Sequence, residues 1–322
     1  MKILIRKFCT VLLVLSVSNV SAQTYKLDFK AIDKYVKSLG SLDSMNVGTI
    51  SAILSKKYNN KIDKAYAFYY WIANNITYDV KAARANNTSK NSPIEVLFYR
   101  KAVGIGFASL FQDMCSNANI RCLTVDGYIK NNVDEIGEKV NDINHSWAVV
   151  QLGESPDTWY YVDPAMGSGY TDADMKTFTP AYTDAYFFTD KETFNLQHFP
   201  DNTAWKLGSG PKSKKGFFNL PVFKHAAIEM GVKKISPDEG YLKVKANKSV
   251  DFTITLNNNN DVVISKVEIG TGVRKKYKTK AVEFTYTKGL LSFSYTFEEE
   301  DSYPISILVN GKQFALYQVD IN

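Results

Sequence analysis

The stretch that decides the fold is Arg100-Lys101-Ala102-Val103-Gly104-Ile105-Gly106-Phe107-Ala108, followed down the chain by Asn144-His145-Ser146-Trp147 and Val162-Asp163-Pro164. Phe107, Leu110, Phe111 and Met114 recur at helical spacing and predict a buried helix from about Ile105 to Ala118. Gly104 and Gly106 at its entrance permit close backbone approach. First-turn N–H groups lack helical partners, so together with the helix dipole they favour a thiolate or an incoming oxyanion. Gly104 supplies no side chain that could use this slot.

Downstream, Ile120 to Ile129 alternates as a strand, residues 131–143 read as a polar loop, and His145 to Leu152 alternates again. Gly153-Glu154-Ser155-Pro156-Asp157 is turn-like, and the alternation returns from Trp159 to Asp163. A hairpin centred near Glu154 pairs His145 with Asp163 and sets both side chains on one face. An imidazole and its orienting carboxylate require that geometry. Taken singly, a hairpin histidine is as often a packed residue, and aspartate before proline is a common strand-ending turn residue. No other nucleophile is in reach. Ser109 points away from the face of Gly104, and Cys115 lies roughly 16 Å further along the helix axis. The remaining histidines, His198 and His225, fall near a linker, so no metal site or cofactor is expected.

Upstream, Ile62, Tyr66, Tyr69, Ile72 or Ala73, and Ile76 predict an amphipathic helix over residues 61–76, and residues 82–92 an exposed loop. Ser92-Pro93-Ile94-Glu95 starts another helix, with a serine cap, proline at the first position and glutamate closing the capping box, that should end near Arg100. The chain begins like an export signal. Lys2, Arg6 and Lys7 precede the apolar run Cys9 to Val17, and Val20-Ser21-Ala22 is a small-residue cleavage site. The expectation is a secreted or periplasmic protein with no integral membrane segment after cleavage. Losing those three cations reduces the net charge from +6 to +3, too mild for nucleic acid. Cys115 and Cys122 then remain, and their spacing leaves both buried free thiols and a local disulfide open.

Residues 206–216, with Lys212, Lys214 and Lys215, mark a composition break. Beyond about Tyr241 the chain is strand-like. Val250 to Leu256, Leu291 to Phe297 and Tyr303 to Val309 alternate, and Asn310-Gly311 forms a tight turn. About seven short strands indicate a small β-sandwich without histidine or cysteine, suited to binding or bracing.

The ordered set Tyr70 to Asp79, Arg100 to Ala108, Asp126-Gly127-Tyr128, Asn144 to Trp147 and Trp159 to Pro164 resembles the transglutaminase-like superfamily, particularly exported bacterial proteins of the kyphoscoliosis-peptidase type. His198-Phe199-Pro200 and Trp205-Lys206-Leu207 look like that family's tail. The resemblance implies an α+β, papain-like core followed by an Ig-like β-sandwich. With the export signal and the composition break, the expected division is a signal peptide (1–22), a transglutaminase-like domain (23–205), a linker (206–234) and the sandwich (235–322). Active members cleave or transfer acyl groups at amide bonds through a cysteine thioester. The family's cysteine position falls on Gly104, while His145 and Asp163 carry over onto the general-base and orienting positions.

The expected function is therefore that of a pseudoenzyme. It retains the cleft, with a small void at Gly104, and binds a peptide, a cell-wall peptide or a protein partner there. The competing expectation is an active amide hydrolase or acyl transferase with a displaced nucleophile or a water-based mechanism.

Overall fold

Helix α3 (Lys61–Asn75) is the axis of the N-terminal half, preceded by α1 (Lys30–Ser38) and α2 (Val47–Ser55). The computed structural model describes residues 28–322 apart from 139, 141, 154, 173, 258–261, 273–276 and 299, so the expected signal peptide and Glu154 lie outside the described residues. All nine residues from Ala65 to Ala73 are buried. The expected single apolar stripe is thus a helix covered all round, because α1 and α2 pack on it together with two later helices. Tyrosines serve there as core residues because their hydroxyls find partners, Tyr66 reaching both Asp33 and Tyr182.

The chain continues through β1 (Thr77–Tyr78), α4 (Val80–Arg84), α5 (Pro93–Tyr99), β2 (Lys101–Ala102) and α6 (Gly104–Asn117). The predicted capping box of α5 is present, and Arg100 ends that helix in the left-handed conformation at φ 53°. Strands β1 and β2 pair in parallel, Thr77 opposite Lys101 and Tyr78 opposite Ala102. Next come β3 (Arg121–Tyr128), β4 (His145–Gln151), β5 (Trp159–Val162), α7 (Pro164–Ser168), β6 (Gly169–Thr171), β7 (Phe178–Pro180), α8 (Lys191–Gln197) and β8 (Phe199–Pro200). An antiparallel sheet in the order β5-β4-β3-β8 packs against α6. Cys115 and Cys122 are buried free thiols at this helix–sheet junction.

The stretch expected as a linker, 206–234, is structured. It holds α9 (Lys214–Asn219), β9 (Val222–Phe223), α10 (His225–Glu229) and the start of β10 (Val232–Ser236). Phe217 and Phe218 explain the difference, being buried against Tyr128 and Phe199 under the lysine-rich surface. Strands β11 (Tyr241–Val244), β12 (Ser249–Leu256), β13 (Val267–Thr271), β14 (Lys278–Ala281), β15 (Phe284–Thr287), β16 (Leu290–Thr296), β17 (Ser302–Val309) and β18 (Lys312–Ile321) follow. They form two sheets, β10-β12-β16-β15 and β11-β18-β17-β13-β14, with β9 added to β18. The sheets share one apolar core, in which Phe252 meets Tyr317 edge-on at 5.8 Å. The C-terminal strands are thus consistent with the expected β-sandwich.

Candidate functional site

The site forms where α6 begins, β4 begins and β5 ends. Asn91 fixes the helix entrance, its Oδ1 accepting the Val103 N–H at 3.1 Å. The same side chain and Ala102 occupy the space beside Gly106, where an added Cβ would lie 2.7 Å from Ala102 Cβ. Asn144 aligns the first residue of β4 by accepting from Ile129 N at 2.9 Å and donating to Ile129 O at 3.0 Å. Ser146 donates to Asp126 Oδ1 at 2.6 Å.

His145 and Asp163 meet as expected, with His145 Nε2 2.6 Å from Asp163 Oδ2. The route differs from the expected cross-strand pair. Ala148 pairs with Val162, so continuing this register puts Asp163 opposite Trp147, two positions from His145. A slip of one residue would have turned the carboxylate to the other face, whereas an offset of two preserves the face. Asp163 leaves the strand as the N-cap of α7, and its Oδ1 accepts the Met166 N–H at 3.0 Å.

A third residue joins them. His198, the C-cap of α8, places Nε2 3.1 Å from the same Asp163 Oδ2 and stacks on Phe194 at 3.8 Å. The sequence analysis set His198 aside as lying near a linker; it is 35 residues from Asp163, and no local periodicity links a helix end to a distant hairpin. The family-like His198-Phe199-Pro200 run was the available pointer. Burial alone would raise the Asp163 carboxyl, but the charge and hydrogen bonds of His145 and the donor of His198 outweigh it and hold Asp163 well below the ordinary carboxylate range. Burial pushes His198 down, against the opposing pull of Asp163, which favours its neutral form. His225 does not join the trio. Its Nε2 lies 3.2 Å from Met166 O, and burial lowers its pKa.

The cluster has consequences for metal chemistry. His145, Asp163 and His198 present donor atoms all within 4.8 Å of one another, a convergence the sequence spacing did not suggest. The three donors are already hydrogen-bonded among themselves, and all three side chains are at least 98% buried. A cation would have to displace both hydrogen bonds, so the arrangement suits a carboxylate that locks two imidazoles.

The other face of His145 meets Gly104. A Cβ on Gly104 would stand 2.7 Å from His145 Nδ1, 2.9 Å from Cε1 and 3.1 Å from the Ser146 carbonyl oxygen. The expected void is therefore absent, because the imidazole itself fills the side-chain space. Asp163 holds the ring from behind and prevents easy retreat. Cys115 is fully buried, and burial together with its contact to Cys122 raises its thiol pKa far above the usual value.

Residues 49–164 match the family described as the transglutaminase-like superfamily. The chain is 30% identical over 232 residues to the kyphoscoliosis peptidase of Mus musculus, covering 72% of this chain and 33% of that protein. It is 24% identical over 246 residues to hillarin of Drosophila melanogaster, covering 70% of this chain and 28% of the relative. The Lim and transglutaminase domain protein ltd-1 of Caenorhabditis elegans is 25% identical over 211 residues, covering 60% of this chain and 28% of the relative. The chain spans about a third or less of the length of these relatives. Through the domain at residues 49–164, this chain belongs to the transglutaminase-like superfamily.

Proposed function

We propose that the chain is an exported, non-catalytic member of its superfamily in which Gly104 stands at the nucleophile position. It recognises a peptide, a cell-wall peptide or a protein partner in place of transferring its acyl group. The observation that carries this reading is the 2.7 Å separation between a Gly104 Cβ and His145 Nδ1. An acyl transferase needs a thiol or hydroxyl within about 3 Å of its base, and here the base's own ring takes that space. His145 and Asp163 then act as a structural dyad with His198, closing the cleft floor at the start of α6.

Recognition falls to the aromatic surface beside that floor. Tyr78 and Phe178 place their rings 6.1 Å apart, and Tyr170 is half exposed on β6. Aromatic rings of this kind grip an extended chain through large contact area at low entropic cost. The Ig-like character expected of the C-terminal sandwich belongs to the same proposal, as a second recognition surface or a brace.

The test titrates extended peptides and murein peptides while following binding and amide cleavage together. Saturable binding without turnover, weakened by Tyr170→Ala, is the expected result. Turnover that disappears in His145→Ala overturns the proposal and establishes the water-based or displaced-nucleophile enzyme.

A further inference from the structure

Helix α5 carries apolar side chains where the fold gives them nothing to cover. Ile94 is 79% exposed, Phe98 78% and Tyr99 45%. Ile94 and Phe98 are four residues apart, so they share one outer face of the helix, while Val96 and Leu97 on the opposite side are buried. Phe98 and Tyr99 meet edge-on at 4.9 Å, which groups the aromatics into one protruding cluster.

Cations surround the cluster. Lys90 Nζ lies over the Tyr99 ring, 4.5 Å from its centroid, and Lys101 is exposed two residues past Tyr99. From residue 81 to 101 the basic residues are Lys81, Arg84, Lys90, Arg100 and Lys101, against the single acidic residue Glu95. Glu95 caps α5 through Ser92 and keeps its negative charge, and Arg100 is paired with Asp43 at 3.0 Å, so the remaining cations still leave the rim with a positive excess.

The geometry points to a peripheral docking surface for an anionic lipid bilayer, with Ile94, Phe98 and Tyr99 inserting at the headgroup level and Lys90 and Lys101 meeting lipid phosphates. Two features choose a bilayer over a protein groove. The apolar residues protrude from a single convex helical turn, which a fluid interface accommodates without a matching pocket. The charge excess is also of one sign, complementary to an anionic surface. No helix among the described residues is long and apolar enough to cross a membrane.

Docking would orient the entrance of α6. Only β2 separates α5 from the start of α6, and Asn91, just before α5, holds the Val103 N–H at 3.1 Å. A bilayer at α5 therefore lies beside the α6 entrance. The inference rests on a surface separate from the His145 cluster and stands or falls independently of the proposed function.

The test is co-sedimentation of the protein with vesicles of pure phosphatidylcholine and of phosphatidylcholine containing phosphatidylglycerol, at low and at 0.5 M salt. Binding to the anionic vesicles is expected, weakened by salt, reduced about tenfold or more by Phe98→Ser, and reduced also by Lys90→Glu. Both residues are exposed, and an unchanged thermal melt of each variant shows that folding is preserved. Failure to bind anionic vesicles, equal binding by Phe98→Ser, or light scattering that shows a dimer dissociated by Phe98→Ser would each overturn the inference.

Discussion

Substituting Gly104 by alanine tests the packing on which the functional reading depends. The new methyl would sit 2.7 Å from His145 Nδ1, and ordinary contact begins at 3.4 Å, so the ring must retreat by about 0.7 Å, the difference between the two. Asp163 resists this, held to Nε2 at 2.6 Å and itself fixed by His198 and the Met166 N–H. Overpacking of such a site costs ~1–3 kcal/mol. The helix propensity of alanine over glycine returns less than about 1 kcal/mol at a first-turn position. A net loss of about 1–2 kcal/mol, or a melting temperature lower by roughly 2–8 °C, is expected for a domain of this size. Tryptophan fluorescence in urea is the suitable assay, because Trp71, Trp147, Trp159 and Trp205 all precede the C-terminal sheets. Gly48→Ala is the control, since its Cβ meets nothing nearer than 3.5 Å and should be neutral or stabilising. If Gly104→Ala matches or exceeds the wild type, the space is open and the imidazole does not occupy it.

Other outcomes follow from the same contacts. Asp163→Asn removes the carboxylate that accepts from two buried imidazoles and should destabilise the domain by about 3–5 kcal/mol in the same urea assay. Acid sensitivity should begin near neutrality. His198 and His225 have lowered pKa values in the folded state, so they contribute stability above their unfolded value of about 6.5 that is lost as pH falls toward the folded values, and His198→Gln should flatten that part of the curve. Asp163, also lowered, adds a second loss that starts only below about pH 4. Burial brings Lys130 down to about 7 and Lys224 to about 8, so the folded chain holds fewer protons than the unfolded one up to about pH 10.4, and stability should rise with pH across that window. Lys130→Met should reduce this slope in melts recorded from pH 7 to 10.

The helix starts and the hairpin were legible because their chemistry is local. Ser92-Pro93-Ile94-Glu95 contains all the parts of its cap, and Asn310-Gly311 adopts the two positive φ angles of a tight turn, 52° and 77°. The His145–Asp163 contact was legible for a different reason. Its face depends only on residue parity, which survived a register two positions from the expected one. What the sequence hid was tertiary. Nothing local distinguishes a helix buried on one side from α3, buried all round, until its neighbours are placed. The lysines of 206–216 suggested a solvated linker, although Phe217 and Phe218 a few residues later pin that segment to Tyr128 and Phe199. His198 reaches Asp163 only through the fold, and the filling of the Gly104 space by His145 depends on one imidazole's rotamer.

Under the proposed function this dyad does no acyl chemistry. The most direct test is the rate of amide hydrolysis and of acyl transfer to a primary amine, measured by mass spectrometry on peptide and murein-peptide substrates, for the wild type beside His145→Ala. Equal rates at the uncatalysed background are predicted. A wild-type rate above background that falls to it in His145→Ala would contradict the account.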